Sequence, residues 1–199
     1  MRILIITILA LIIQGCASTQ GIVSKAIDPK SKILIVSMLD NDFNFQKTGT
    51  TVFQNKKMMA DVGNWKLNDY IEKRIVNNLS GHYVSFTNKE ISNQLTIPSR
   101  NYFTGYPNPM TNANGLNVLI ENEVDYVLFI TTTKSQDPYF KTNQYLENYG
   151  IYMRSFMGSE KTILYSQILF TMFDITTGNF LASNADTSNN GGDSVWITH

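Results

Sequence analysis

The 199-residue chain has one cysteine, two histidines and five prolines, and its 16 Lys and Arg are matched by 16 Asp and Glu. A single cysteine excludes an internal disulfide and any multi-cysteine zinc site. Zero formal net charge argues against a nucleic-acid binder, which needs a local surplus of Lys and Arg for phosphate. The charged fraction is only 16% against 43% apolar residues, and that composition excludes a disordered chain. There is no phosphate loop, no dinucleotide fingerprint and no Gly-x-Ser-x-Gly elbow. No repeat occurs at solenoid or propeller periods. Length alone points to one domain, at roughly 150 residues per domain.

What is present begins at the N-terminus. Met1-Arg2 is followed by a nearly unbroken apolar run from Ile3 to Ile13. That run is shorter than the roughly 17–25 residues a membrane-spanning helix needs, and a charged start before a short apolar stretch reads as a secretory signal peptide. Ile13-Gln14-Gly15-Cys16 resembles a bacterial lipobox, with the only cysteine at the one position the motif requires. The resemblance implies cleavage before Cys16, so that residues 1–15 are a lipoprotein signal peptide. Cys16 then carries a diacylglyceryl thioether and an amide-linked acyl chain such as palmitate. Each buried methylene adds about 0.8 kcal/mol, and two or three chains hold a protein durably on a membrane. Ala17, a non-Asp residue after the cysteine, implies sorting to the cell outer membrane. Loss of Arg2 leaves 15 basic against 16 acidic residues, a charge of −1. That balance offers no basic patch for anionic headgroups, so anchoring is assigned to the lipid.

Residues 16–31 comprise the lipidated cysteine and a small, polar linker with a reach of at most about 50 Å. Residues 32–199 are expected to form a single α/β periplasmic domain. Ile33–Leu39 predicts a strand buried on both faces. Residues 40–62 predict a loop or an edge strand near Thr50–Phe53. Asn64 is the expected N-cap of an amphipathic helix in which Leu67, Ile71, Ile75 and Leu79 recur every four residues, closed by Gly81. Tyr83–Phe86 and Val124–Ile130 predict strands, with a helix over Asn112–Glu123 between them. Ile151–Phe156, Ile163–Phe173 and Phe180–Ala182 predict strands joined by hairpin turns at Gly158-Ser159 and Thr176–Asn179. The expected fold class is α/β, as an α+β sandwich. It has a central mixed sheet, helices on one or both faces, and a C-terminal antiparallel meander.

Val124-Asp-Tyr-Val-Leu-Phe-Ile130, Gly150-Ile-Tyr152 and the run from Tyr165 through Asp174-Ile-Thr-Thr-Gly-Asn-Phe-Leu181 together resemble a recurring lipoprotein pattern. It is shared by the LpoB family of penicillin-binding-protein activators and, more loosely, by the CsgG curli-secretion lipoproteins and the TolB N-terminal domain. The resemblance covers roughly Lys32 to Asn184 in order of elements. It implies a periplasmic binding module with no catalytic residues and no cofactor.

Candidate chemistry among the residues themselves is sparse. His82 reads as a helix C-terminal residue favoured by the dipole. Asp40–Asn44 and Asp186–Gly191 begin like calcium loops, but position twelve is Thr51 in one and Ile197 in the other, so no metal site is expected. Glu121 and Glu123, two apart on a helix, do not face one another. The aromatic clusters are the remaining candidates. Tyr102, Phe103 and Tyr106, with Tyr139, Phe140, Tyr145 and Tyr149, form the expected partner surface, because tyrosine buries area at little entropy cost and keeps a polar tip. The favoured function is a non-enzymatic, outer-membrane-anchored interaction module that docks an envelope protein or peptidoglycan and is related to regulation of peptidoglycan synthesis. The alternatives are a subunit of a curli-type secretion pore and a cell-wall or lipid hydrolase.

Overall fold

The computed structural model describes residues 27–95, 113–139, 143–178 and 180–187. Its strands are β1 (Lys32–Met38), β2 (Asp42–Thr48), β3 (Lys56–Asp61), β4 (Val84–Phe86), β5 (Tyr126–Thr132), β6 (Lys134–Gln136), β7 (Tyr145–Glu147), β8 (Tyr149–Phe156), β9 (Ser159–Asp174) and β10 (Phe180–Thr187). Three helices lie among them: α1 (Leu67–Leu79), α2 (Lys89–Ser92) and α3 (Ala113–Glu121). The expected mixed α+β architecture is what the chain adopts. Eight strands form one sheet in the order β3-β2-β8-β9-β5-β1-β4, with β10 also on β9, and β6–β7 make a separate hairpin.

The 16-residue β9 joins two halves of that sheet. Its C-terminal half pairs with β5 and β10, while its N-terminal half pairs with β8. Gln167 marks the changeover. Its N–H donates to Asn148 and its carbonyl accepts from Thr133, so β5 and β8 follow one another along the same edge of β9.

In the first half, β1 is buried on both faces because each face meets helices. Ile33 and Ile35 pack with Ile71, Ile75 and Leu79 of α1. Leu34 and Val36 face the other way, toward Ile91 of α2 and Leu119 of α3, with Phe129 and Phe173. The two rows of β9 divide likewise: Ile168, Phe170 and Met172 pack on the α1 side, and Phe173 packs on the opposite side. This explains why both rows of that strand are apolar: each has a core to enter.

Three local expectations need correction. Residues 40–62 are a two-stranded antiparallel unit, β2 and β3, and Thr50–Phe53 belongs to the turn between them. Asn64 is not the helix cap. It lies in a 3₁₀ turn, Gly63–Trp65, and Lys66 precedes α1 in the left-handed region at φ 50°. Gly81 does not close α1 as a left-handed residue either, since positive φ among the described glycines occurs only at Gly158 and Gly178. The helix ends at Leu79, with the Ser80 N–H donating to the Val76 carbonyl.

The β8–β9 turn has two consecutive residues at positive φ, Met157 (49°) and Gly158 (79°). Such a turn matches strand twist but favours Asn or Asp at its first position. Met157→Asn should therefore raise stability by about 0.5 kcal/mol, measured as a higher urea midpoint with an unchanged slope.

Candidate interaction surface

The second half of the sheet is built unlike the first. On one face, β2 contributes Asn44, Gln46 and Thr48, all buried. Beside them in register stand Gly150, Tyr152 and Arg154 of β8, followed by Tyr165 and Ile163 of β9. The β6–β7 hairpin covers this face: Leu146 packs with Tyr152 and Tyr165, with Tyr139 and Ile163 at the edge of the cluster. Gly150 admits the close approach of β2.

Some of the buried polar groups are tied together. Asn44 Nδ2 donates to the Glu147 carbonyl, as does the Tyr165 hydroxyl. Fully buried Asp137 pairs with Arg154, Oδ2 to Nη1 at 3.4 Å, and its Oδ1 accepts from the Tyr139 N–H. Neither amide atom of buried Gln167 has a hydrogen-bond partner among the described residues.

Burial controls tyrosine ionisation here. It pushes the Tyr165 phenol up to about 12, with the Glu147 charge adding to the effect. It also raises Tyr152, where neighbouring Thr48 and Arg154 oppose it without prevailing. Tyr139 and Tyr149 are raised by burial, helped by Asp137 in one case and by Asp40 and Asp42 in the other. Each folded-state value lies above the unfolded one. The resulting stability is complete below pH 10 and declines as pH climbs from 10 toward 12. Tyr165 alone should account for a loss of up to about 2.5 kcal/mol over that window. Urea unfolding at a series of pH values should show it, and Tyr165→Phe should flatten the decline.

The structure separates the candidate tyrosines. Tyr149 is a core residue, 7% exposed, and its hydroxyl donates to the Asp40 carbonyl. It therefore cannot serve a partner from its ring. Tyr139 stacks on Tyr152 at 6.2 Å between ring centroids, and the Lys161 ammonium lies 5.4 Å from its own centroid. Tyr145 is 52% exposed. It borders an open groove of about 330 Å³ together with Gln46, Lys47, Asn55, Lys56, Lys57 and Gln144. Tyr102, Phe103, Tyr106 and Phe140 lie outside the described residues.

The other features read from sequence are structural. Glu123 pairs with Lys32, which holds its carboxyl below the usual range. Asp42 opens β2, so only Asp40 and Asn41 of the Asp40–Asn44 segment lie in a connection, and no group of three His, Cys, Asp or Glu converges among the described residues. His82 follows α1 and lies beside the Tyr83 ring. Sequence reasoning missed Gln46, Lys47, Asn55, Lys56, Lys57 and Gln144. Their only signal was polarity, which in a linear reading is the mark of a loop.

No family model and no curated protein matches the sequence. Among solved structures, the chain is similar to the LpoB C-terminal domain from Salmonella enterica, at 9% identity and a TM-score of 0.36, covering 85% of this chain and 90% of that one. It is also similar to lipoprotein GNA1162 from Neisseria meningitidis, at 14% identity and the same TM-score, covering 81% and 87%.

Proposed function

We propose that this chain is a lipid-anchored envelope protein that works by binding rather than by catalysis. In this reading Cys16 carries the acyl chains, Ala17 directs the protein to the outer membrane, and the sheet domain faces the periplasm. The observation that carries the binding role is the open groove beside Tyr145. Its amide groups (Gln46, Asn55, Gln144), its ammonium groups (Lys47, Lys56, Lys57) and one exposed phenol offer hydrogen bonds and positive charge to an incoming polar, acidic surface. Gln46, Lys47, Lys56 and Lys57 stand on the paired β2 and β3 strands, so their backbone positions are set before a partner arrives. An envelope protein, or peptidoglycan with its carboxylates, fits that chemistry. A part in regulating peptidoglycan synthesis is the role we assign to the pair.

The test is a photo-crosslinking residue at position 145 in living cells. The expected result is one discrete adduct that is lost when Lys56 and Lys57 are both changed to Glu. A probe at exposed Asn77 on α1 should give none. Equal, diffuse labelling from both positions would contradict the reading. So would turnover of murein or ester substrates by purified protein that a single carboxylate or serine substitution abolishes.

A further inference from the structure

At one end of the second half-sheet, two turns lie side by side. Thr48 of β2 pairs in parallel with Arg154 of β8, and both strands run out in the same direction. The β2–β3 connection and the β8–β9 turn therefore project together from adjacent strands. Phe53 is 94% exposed, Met157 81% and Val52 74%, and Phe156 is also exposed. Phe53, Met157 and Val52 are the three most solvent-accessible large apolar side chains among the described residues.

Folding accounts for the turns but not for these side chains. In the first turn, Gly49 N–H donates to Asn55 Oδ1 and Thr50 N–H to Gln54 Oε1. Those bonds, with the Asn55 N–H donating to the Val52 carbonyl, fix its shape with no help from the Val52 or Phe53 side chains. In the second, Met157 occupies a left-handed position where Asn or Gly would fit better. Two independent turns thus present apolar groups to water at the same place. Lys47, Lys56, Lys57 and Lys161 surround that place, opposed nearby by Glu160, which pairs with Lys47, and by Glu147, which Lys57 shares with Lys134. The chain as a whole is neutral, so this end is a local positive excess that composition does not reveal. A row of Met58, Phe45, Ile151 and Leu164, in register across four strands, continues the apolar surface along one face, with Met58, Phe45 and Leu164 exposed.

We infer that this tip is a second membrane contact: Val52, Phe53, Phe156 and Met157 enter the headgroup region of an anionic phospholipid bilayer, and the surrounding lysines meet its phosphates. Apolar side chains ringed by lysine are the chemistry of interfacial binding, whereas the positive excess alone would suit any polyanion. β9 extends about 50 Å at 3.3 Å per residue, while the tether that precedes Ile27, a residue packed against the core, spans at most about 35 Å. With the domain lying along the membrane, a tether of that length lets one leaflet receive both the acyl chains and the tip. The groove beside Tyr145 shares three of the lysines and would open next to that leaflet. The tip inference does not depend on the groove having a partner.

The experiment uses the full chain isolated from membranes, with the mass of its N-terminal peptide read on the same sample, reconstituted in vesicles of phosphatidylethanolamine and phosphatidylglycerol. An environment-sensitive fluorophore is placed on a cysteine at Thr50 or Ser159, with Asn77 as the control position. Blue-shifted emission quenched by spin-labelled lipid at 50 and 159, absent at 77, is the expected result. The shift should be lost in F53S/M157N and reduced by raising ionic strength. The M157N change suits the turn, and unfolding curves on the same double variant separate loss of contact from loss of fold. An acylated protein whose tip labels stay as in buffer overturns the tip contact and leaves the anchor intact. A shift that follows protein density instead of lipid composition also overturns it, because the tip would then be meeting a second copy.

Discussion

Alanine at position 150 is expected to cost this fold on the order of 4 kcal/mol, enough to leave a marginal domain largely unfolded. A Cβ there would stand 2.0 Å from the Asn44 carbonyl oxygen, 2.8 Å from its carbon and 2.9 Å from its nitrogen. All three atoms are backbone, in the strand that pairs with Gly150 in register. No rotamer change can relieve the overlap, so β2 and β8 must separate at the middle of the half-sheet. Gly81→Ala is the matched control. Nothing lies within 4 Å of its added Cβ, and its stability should stay within about 0.5 kcal/mol of the parent. Urea titrations of the two variants followed by circular dichroism would give the comparison. A Gly150→Ala protein as stable as the parent would mean that β2 and β8 are not paired as described.

Arg154→Leu is expected to rank next, at about 3–5 kcal/mol. Asp137 is fully buried and Arg154 largely so, with side-chain exposures of 0% and 11%. Removing the guanidinium leaves a carboxylate inside the protein without its main counter-charge, and that desolvation cost dominates. The double variant Arg154→Leu with Asp137→Asn removes the stranded charge and should recover a large part of the loss. A double-mutant cycle by urea unfolding measures the recovery. Strict additivity of the two single changes would show that the pair does not couple the β8 strand to the segment preceding β7.

The difference between the two half-sheets explains which parts could be read in the sequence. β1, β5 and the C-terminal half of β9 bury apolar residues on both faces, so each appears as a hydrophobic run at nearly its true limits. α1 was legible from the four-residue spacing of Leu67, Ile71, Ile75 and Leu79, although its start at Lys66 was hidden because lysine gives no capping signal. β2 and β3 were missed for the opposite reason. The inward row of β2 is Asn44, Gln46 and Thr48, and β3 is an exposed edge, so alternation of polarity carries no information there. The groove follows from that same half-sheet and was equally hidden. Of the tyrosines, Tyr145 and Tyr149 looked alike in sequence. Four residues and a strand boundary turn one outward and seat the other against Asp40. The positive tip needed the register itself, since Lys47, Lys56, Lys57 and Lys161 come from three strands of a chain with no net charge.

Anchoring at Cys16 joins the proposed location, the binding role and the reach of the linker, and mass spectrometry of the N-terminal peptide from membrane-extracted protein tests it most directly. The account predicts a peptide that begins at residue 16 and carries the added mass of a diacylglyceryl group and an acyl chain. A peptide that retains Met1, or one whose cysteine reacts with a thiol reagent, would contradict it.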